Sequence, residues 1–479
     1  MAKISDHTLS ELKDVVGPKG WSNDDGELEP HLREWRGRWH GKTSLLLKPK
    51  CTKEISDILV ICNKHKCKIV PQGGNTGLVN GGLPDDSGDE LLLSLKRFNK
   101  EISIDPVNNT ITADSGITVK QLQDVAASQD RLFPLSLASE GSCTVGGIIS
   151  TNAGGVHVVR YGTTRDLVLG LEAVMPNGDI INALSGLRKN NTGYNIPQLL
   201  IGAEGTLGII TKATFKLYPA VKQRHVMMLG VDCVDDATKI LHEANVFAGE
   251  NLSAFELISQ NGLDIALKHT PNLSAPYPTK TDWYLLIEFG LTSTEASFSH
   301  RLENWLEQCL DKGIFIDGSI AQNEHQSQSM WTLRERMSEV QKLEGASVKH
   351  DISIPISNMA KFIERANTAV NDICKGVRAI PFGHLGDGNL HYNLSQPIDM
   401  NQEDFMALEY KFNNAVYDIV MQLDGSISAE HGIGKLKVQE LEKRIEPNTL
   451  ATMRSIKRAI DPNNILNCDR IFKITRLFS

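Results

Sequence analysis

Pro71-Gln72-Gly73-Gly74-Asn75-Thr76-Gly77-Leu78 begins at the end of a short β-rich run, KIVP at 68–71. Glycines let successive backbone N–H groups converge on an anion, and Asn and Thr add side-chain donors, so this composition suits a phosphate cradle. A single loop of this kind is more often just a turn. Three more share the same stretch of chain: Glu140-Gly141-Ser142-Cys143-Thr144-Val145-Gly146-Gly147, Asn152-Ala153-Gly154-Gly155, and Gly202-Ala203-Glu204-Gly205-Thr206-Leu207-Gly208. Together they suit a ligand as long as a dinucleotide. The usual nucleotide fingerprints are missing. No segment gives G-x-G-x-x-G after a strand, and Gly37-Arg38-Trp39-His40-Gly41-Lys42-Thr43 misses the phosphate-loop spacing because Arg36 stands where glycine is required.

Around these loops, from about Leu45 to Pro219, β-rich runs alternate with helical patterns: ITADSG at 111–116, DLVLGLEAVMPNGDII at 166–181, LGIITKATFKLYP at 207–219. Thr118 and Gln121 form a capping box ahead of Val119, Leu122 and Val125, and Asn177-Gly178 is a hairpin signal. Beyond Pro219 glycines thin out. Helical periodicity appears near 234–248, 294–312, 327–343, 357–374 and 403–423, with strands near 283–289 and 378–394. From Gly425 a glycine loop returns, followed by helices near 435–445 and 449–460. The expected fold is α+β: an N-terminal segment 1–44, a ligand-binding domain 45–219, a substrate or cap domain 220–424 with an antiparallel sheet and helices, and a C-terminal helical segment 425–479 that completes the active site.

A chain of 479 residues is long enough for two or three packed units, each able to enclose a cofactor. Fifty Lys and Arg against 58 Asp and Glu give a formal charge of −8, which argues against nucleic acid as the main partner. No apolar run approaches the roughly 20 residues of a membrane helix, and Met1 to Gly20 carries neither a secretion nor a transit pattern, so the expected location is the cytoplasm, or an organelle for a mature chain. Eight cysteines are scattered without a CxxC pair, which disfavours cysteine-bound zinc and iron–sulfur clusters; Cys62 falls on an apolar helix face with Ile55, Ile58, Leu59 and Ile61.

Chemistry concentrates in Gly383-His384-Leu385-Gly386-Asp387-Gly388-Asn389-Leu390-His391-Tyr392-Asn393. Centring a two-residue hairpin on Asp387-Gly388 opposes His384 to His391 and puts Asn393 on the same face as His391. Opposed residues have Cβ atoms about 5 Å apart, from which two imidazoles can reach one metal ion. Two histidines bonded within a sheet are the commoner arrangement for an arbitrary pair. Ser428-Ala429-Glu430-His431-Gly432-Ile433-Gly434 supplies a third ligand, and His384, His391 and Glu430 would make a His₂Glu site typical of catalytic zinc, although iron or manganese accept the same set. In Trp331-Thr332-Leu333-Arg334-Glu335-Arg336-Met337-Ser338, Arg334 and Ser338 share a helix face, and Arg334 can grip a carboxylate through two parallel N–H bonds.

PQGGNTG, GSCTVGGIISTNAGG, LRKNNTGYN at 187–195 and GAEGTLGIIT resemble the FAD domain of the vanillyl-alcohol-oxidase-like flavoproteins, and the likeness continues from about Glu34 to the C-terminus. The resemblance implies a two-part FAD-binding domain, with Pro71, Gly73, Gly74, Asn75, Thr76, Gly77, Leu78, Ser139, Gly141, Ser142, Gly147, Asn152, Ile210 and Asn467 at the flavin. Many covalent members carry a histidine in the first glycine loop; its absence here implies noncovalent FAD. Within this family the resemblance implies FAD- and metal-dependent oxidation of D-2-hydroxyglutarate to 2-oxoglutarate, with D-lactate or glycolate as the alternative substrate. His384, His391 and Glu430 are then metal ligands, and His431 is the catalytic base that takes the proton of the metal-bound hydroxyl while hydride passes from C2 to flavin N5. Arg334, Ser338, Lys349 and Asn393 surround the substrate; many relatives have threonine at the Ser338 position, and proline after the asparagine where Cys468 follows Asn467. The implied electron acceptor is an electron-transfer flavoprotein or a quinone-linked carrier, and a homodimer is the candidate assembly. More distant rivals are an alkyl-ether lipid synthase with the same FAD domain and a flavin or metal storage module. The storage module leaves Glu430-His431 and Arg334-Ser338 unexplained.

Overall fold

The computed structural model describes residues 4–35 and 37–474, so Arg36, which breaks the phosphate-loop pattern, lies outside the described residues. The chain folds as two units, one of Met1–Gly154, Gly162–Ala220 and Glu430–Ser479, the other of Gly155–Tyr161 and Val221–Ala429.

In the first unit Trp21–Ser22 (β1), Leu46–Leu47 (β2), Lys68–Gln72 (β3) and Glu90–Ser94 (β4) form a sheet in the order β1-β2-β4-β3. β2, β4 and β3 run parallel, and β4 is buried at every position, as a strand covered on both faces must be. The helix Thr52–His65 lays Ile55, Ile58, Leu59 and Cys62 into this core, so Cys62 is a packed thiol. A second sheet comprises Ile102–Asp105 (β5), Thr110–Asp114 (β6), Val168–Val174 (β8), Ile180–Ala183 (β9) and Ile209–Lys216 (β10), ordered β5-β6-β10-β8-β9 and antiparallel throughout. Arg131–Leu132 (β7) pairs with Tyr218–Pro219 (β11) alone. The capping box at Thr118 and Gln121 starts the helix Val119–Ala127, and Asn177-Gly178 lies in the β8–β9 connection with Gly178 at φ +90°.

The last part of the chain is woven into this unit. The Ile69 N–H donates to the Ile465 carbonyl at 2.8 Å and the Asn467 N–H to the Ile69 carbonyl at 3.0 Å, so Leu466 extends the β3 edge. Lys457 Nζ is buried and donates to Thr206 O, Leu466 O and the Asp461 carboxylate. Arg470 pairs with Glu90, both nearly inaccessible, and also donates to the Cys468 and Leu83 carbonyls.

The second unit is built on one antiparallel sheet of seven strands: Gln223–Val231 (β12), Leu252–Ser259 (β13), Trp283–Leu291 (β14), Asp317–Ile320 (β15), Ser347–Ser353 (β16), Arg378–Gly383 (β17) and Asn389–Ser395 (β18), ordered β15-β12-β14-β13-β17-β18-β16. Both faces are covered. Against one, the amphipathic helices Val234–Ala248, Ala296–Asp311, Met359–Ile373 and Glu409–Gln422 bury a large core that includes Phe255, Phe289, Phe298, Phe362 and Phe412. Against the other pack Gln260–His269 and Glu324–Glu335, with Leu263, Met330 and Leu333 on Met228, Ile258, Leu286, Ile380 and Phe382. The single helix expected over 327–343 is instead Glu324–Glu335, a turn Met337–Val340 and a 3-10 turn Gln341–Glu344. The tightened turns keep Leu333, Met337 and Val340 in one apolar cluster as the chain bends over the sheet.

Removing one member of a buried ion pair strands the other, at about 3–5 kcal/mol. Arg470→Met should therefore lower the urea midpoint of the FAD-loaded protein, the unfolding free energy falling by an amount in that range, because Glu90 stays buried without its cation. An unchanged midpoint would show that the C-terminal tie adds nothing to stability.

Candidate functional site: a glycine-lined cradle and a polar sheet face

In the first unit the two leading glycine loops touch through their backbones. A Cβ on Gly74 would stand 2.0 Å from the Ser142 carbonyl oxygen, and one on Gly73 would stand 2.5 Å from Thr144 Oγ1. The turn Ser139–Cys143 is closed by the Ser142 and Cys143 N–H groups donating to Ser139 O, and the helix Val145–Thr151, containing Gly147, follows it and ends on Asn152 at φ 49°. Pro71 closes β3 against Gly205, where a Cβ would lie 2.7 Å from Pro71 Cγ, and Asn467 Nδ2 donates to Glu204 O and Gly81 O. Ile210 enters from β10, its carbonyl beside Gly146. The residues expected at the flavin thus all fall within the first unit.

Gly77 and Gly141 discriminate between a turn and a cradle. Neither has a positive φ, and a Cβ on either would meet nothing within 4 Å. Neither the fold's geometry nor its packing demands glycine there, whereas a ligand lying on the backbone would. Thr144 Oγ1 is buried with no hydrogen-bond partner among the described residues, a polar atom left over beside the same loops. Both features fit FAD.

In the second unit, strand alternation puts Lys349 and Asp351 of β16, His391 and Asn393 of β18, and Ile380 and Phe382 of β17 on one sheet face, with the pairs Lys349↔Asn393, Asp351↔His391 and Phe382↔His391. The hairpin is wider than the Asp387-Gly388 turn expected. His384 pairs with no strand residue. It opens a 3-10 turn, Leu385–Asp387, and Gly388 takes a left-handed conformation at φ +82°. The cause is local: Asn389 Nδ2 is bound to Asp351 Oδ1 and Ile352 O, and Gly388 approaches Ile354 O so closely that a Cβ would sit 2.4 Å from it. The imidazoles nevertheless meet, with ring centroids of His384 and His391 5.6 Å apart.

Glu256 explains why. This β13 carboxylate, wholly buried, accepts from His384 Nδ1 at 2.6 Å and from Arg334 Nε at 2.6 Å. Burial alone would raise its pKa; the Arg334 guanidinium and His384 outweigh that and hold the carboxyl at about 2. Arg334 also lies over the Phe382 ring, 4.9 Å from its centroid, while its two Nη atoms keep no partner among the described residues. Lys349 Nζ donates to Ser338 O at 3.1 Å and Asn393 Nδ2 to Gln341 Oε1 at 3.0 Å, which gathers Arg334, Ser338, Lys349 and Asn393 on this face. Ser338 itself is exposed and Arg334 buried.

Ser426 and Ser353 exchange two backbone hydrogen bonds, 2.8 and 3.1 Å, so the chain reaches Glu430 only four residues after a fixed point beside β16. Within the second unit Asp351 Oδ1 stands 3.8 Å from His391 Nδ1, a carboxylate beside an imidazole on paired strands. This carboxylate and imidazole set suits zinc, iron or manganese. Asp351 was not among the ligands expected. Past His431 the glycines at φ +79° (Gly432) and +51° (Gly434) turn successive N–H groups inward: Ile433 N and Gly434 N donate to the Glu204 carboxylate at 2.8 and 2.7 Å. Burial pushes the Glu204 carboxyl up to about 7 against the pull of those two N–H groups.

Sequence reasoning missed Glu256, Asp351 and the role of Glu204. The available signal for Glu256 was a charge in the middle of the apolar run Leu252-Ser253-Ala254-Phe255-Glu256-Leu257-Ile258, where burial requires partners.

Glycine-lined loops in one unit, and in the other a sheet face that presents a guanidinium, an ammonium and paired imidazoles, suit a flavin-dependent oxidoreductase. Residues 43–184 match an FAD binding domain, and residues 221–471 match the C-terminal domain of FAD linked oxidases. The chain belongs to this FAD-linked oxidase family, as an FAD-dependent dehydrogenase of the D-2-hydroxy-acid class. It is 36% identical over 466 residues to the mitochondrial D-2-hydroxyglutarate dehydrogenase of Arabidopsis thaliana, covering 97% of this chain and 81% of that protein. It is 34% identical to the D-2-hydroxyglutarate–pyruvate transhydrogenase of Saccharomyces cerevisiae, covering 92% and 89%. A crystal structure of p-cresol methylhydroxylase superposes with a TM-score of 0.77 at 17% identity, over 98% of this chain and 96% of that one, which shows the shared fold. No described helix is long and apolar enough to cross a membrane.

Glu204 gives this site a pH signature. A carboxyl whose folded pKa, about 7, exceeds its unfolded value of 4.5 stabilises the fold fully below the unfolded value. That contribution fades as the pH rises through the folded value, and amounts to about 3 kcal/mol. Wild type should therefore lose stability relative to Glu204→Gln between about pH 4.5 and 7, read from urea midpoints of the two proteins across that range. Parallel pH profiles would show that Glu204 keeps an ordinary carboxyl.

Proposed function

We propose that this protein oxidises D-2-hydroxyglutarate to 2-oxoglutarate, with FAD as noncovalent cofactor and a divalent metal ion, zinc by preference, beside the substrate. The observation that carries the reading is the buried Arg334 guanidinium, fixed through Nε with both Nη atoms unpartnered among the described residues, on the face that carries Lys349, Asn393 and His391. Two carboxylates separated by a short chain need cations or strong donors at both ends, and monocarboxylates such as D-lactate do not. The Arabidopsis and Saccharomyces relatives are named for D-2-hydroxyglutarate, whereas one of Schizosaccharomyces pombe, 34% identical, is named a putative D-lactate dehydrogenase.

In this reading Arg334 holds one carboxylate through parallel N–H bonds, and Ser338, Lys349 and Asn393 complete the grip. His431 takes the proton of the C2 hydroxyl, a role suited to an imidazole because its neutral form keeps one nitrogen lone pair as acceptor. His384, His391 and Glu430 would hold the metal, whose charge would favour the deprotonated alcohol. The residues from Pro71 to Leu78, Ser139, Gly141, Ser142, Gly147, Asn152, Ile210 and Asn467 hold FAD, which supplies the two-electron acceptor at N5. The electrons leave to an electron-transfer flavoprotein or quinone-linked carrier, a choice supported by the lack of a nicotinamide fingerprint. The working location is the cytoplasm or an organelle interior; the Arabidopsis relative is named as mitochondrial.

Anaerobic titration of the as-purified protein should bleach the flavin with D-2-hydroxyglutarate at lower concentrations than with D-malate or D-lactate. A lost charge-assisted hydrogen bond removes roughly 1.5–3 kcal/mol, or about 10- to 150-fold, so Arg334→Ala should lower kcat/KM for D-2-hydroxyglutarate by that factor and spare D-lactate. A highest kcat/KM for D-lactate, with a ranking that Arg334→Ala leaves intact, would sink the glutarate assignment. His431→Ala should abolish flavin reduction while FAD and metal contents stay at wild-type levels; near-normal reduction removes His431 as the base.

A further inference from the structure

We propose that Glu256 is a positioning residue that sets two groups with one carboxylate: the guanidinium that reads the substrate and the ring nitrogen that His384 offers to a metal ion. The inference rests on the reading of Arg334 and His384 given above.

Glu256 lies on β13, a strand buried at all eight positions, and its carboxylate spends one oxygen on each partner: Oε1 on His384 Nδ1 and Oε2 on Arg334 Nε, both at 2.6 Å. An ionised carboxylate only accepts, so both partners must present N–H. For a neutral imidazole that fixes the tautomer: hydrogen on Nδ1, lone pair on Nε2, the form a metal ion requires. For Arg334 it uses the one nitrogen that a head-on carboxylate grip through the two Nη atoms does not need. The Phe382 ring lies beneath that guanidinium, 4.9 Å from centroid to Cζ.

The arrangement does a job the sheet cannot. His384 has left the β17 ladder, with φ −85° and ψ 80°, so strand register does not aim its ring. The adjacent pairings Leu257↔Gly383 and Ile258↔Phe382 instead bring β13 alongside, which puts Glu256 within reach of the first residue of the turn. The helix Glu324–Glu335 arrives over the same spot and supplies Arg334. Substrate grip and metal ligand are thereby referred to a single atom group, 78 residues from one partner and 128 from the other along the chain.

Glu256→Gln conserves shape but not chemistry. A carboxamide offers one acceptor and one NH₂ donor. If its oxygen serves Arg334, the NH₂ faces Nδ1 and drives the His384 hydrogen to Nε2, where no metal can bind. Outer-shell partners of this kind are typically worth 10- to 100-fold in metal affinity. The test uses the FAD-loaded full chain, stripped with a chelator and titrated with Zn²⁺ alone against a chromophoric competitor. Glu256→Gln should weaken zinc binding by about 10- to 100-fold and raise KM for D-2-hydroxyglutarate more than for D-lactate, with FAD content and far-UV circular dichroism unchanged.

Glu256→Asp retains two acceptor oxygens but leaves a small void. Positioning therefore ranks Asp above Gln for zinc affinity, whereas simple packing ranks them in the reverse order. Wild-type zinc affinity in Glu256→Gln overturns the proposal, as does Gln ranking above Asp. Should Glu256→Gln not fold, Glu256→Asp decides alone, because its oxygens are drawn back by one methylene from partners that both stand at 2.6 Å: weakened zinc binding with FAD retained supports the proposal, and unchanged affinity overturns it. These binding readouts are independent of whether wild type oxidises D-2-hydroxyglutarate, so failure of the substrate reading is seen separately in the flavin titration.

Discussion

An ionised carboxylate inside an apolar sheet must be answered by a donor on each oxygen, because desolvating the charge costs several kcal/mol that a single contact does not recover. Glu256 imposes that condition on the second unit. Its demand brings a cation from a helix and an imidazole from a turn to the same point, and its lowered pKa records how fully the demand is met. Glu204 imposes a similar condition on the first unit with backbone donors alone, and the bend from Gly432 to Gly434 is the shape that satisfies it. The segments that carry the chemistry are irregular, and buried carboxyl groups hold them where ladder hydrogen bonds do not reach.

The cofactor cradle is set by the opposite means, missing side chains. Gly73 and Gly74 let two loops lie backbone to backbone, and any Cβ at Gly74 would drive them apart. Gly77 and Gly141 are spare by every internal criterion, which is how a surface shaped for a guest differs from one shaped for itself. Stiff contact behind and free backbone in front are what a long, flat, charged ligand requires.

Much of this was legible in the sequence because it is local. The glycine loops, the capping box at Thr118, the helix Val234–Ala248 and the packed Cys62 follow from spacing within a few residues. The hairpin was legible in kind but not in width, since Asp387-Gly388 reads as a two-residue turn until Asn389 is seen tied to Ile352 and Asp351 on the neighbouring strand. The bend after Glu335 carries no Gly or Pro; it comes from keeping Leu333, Met337 and Val340 on one apolar cluster. Glu256 and Glu204 were silent because their partners stand 78, 128 and about 230 residues away, and only the folded sheet order makes them neighbours.

The splice of Leu466 onto the edge of β3 carries a consequence for how the molecule is made. Pro71 and the glycine loop leave from the very strand that residues 465–467 flank, and Asn467 props Gly81 and Glu204 from the same side. A ribosome has delivered the whole cradle sequence hundreds of residues before that flank exists. The nascent first unit must therefore wait, with its sheet edge bare, while the entire second unit is synthesised. The support of these loops is consequently a property of the chain through Asn467, although the residues supported at Ile69 and Gly81 lie almost four hundred positions upstream.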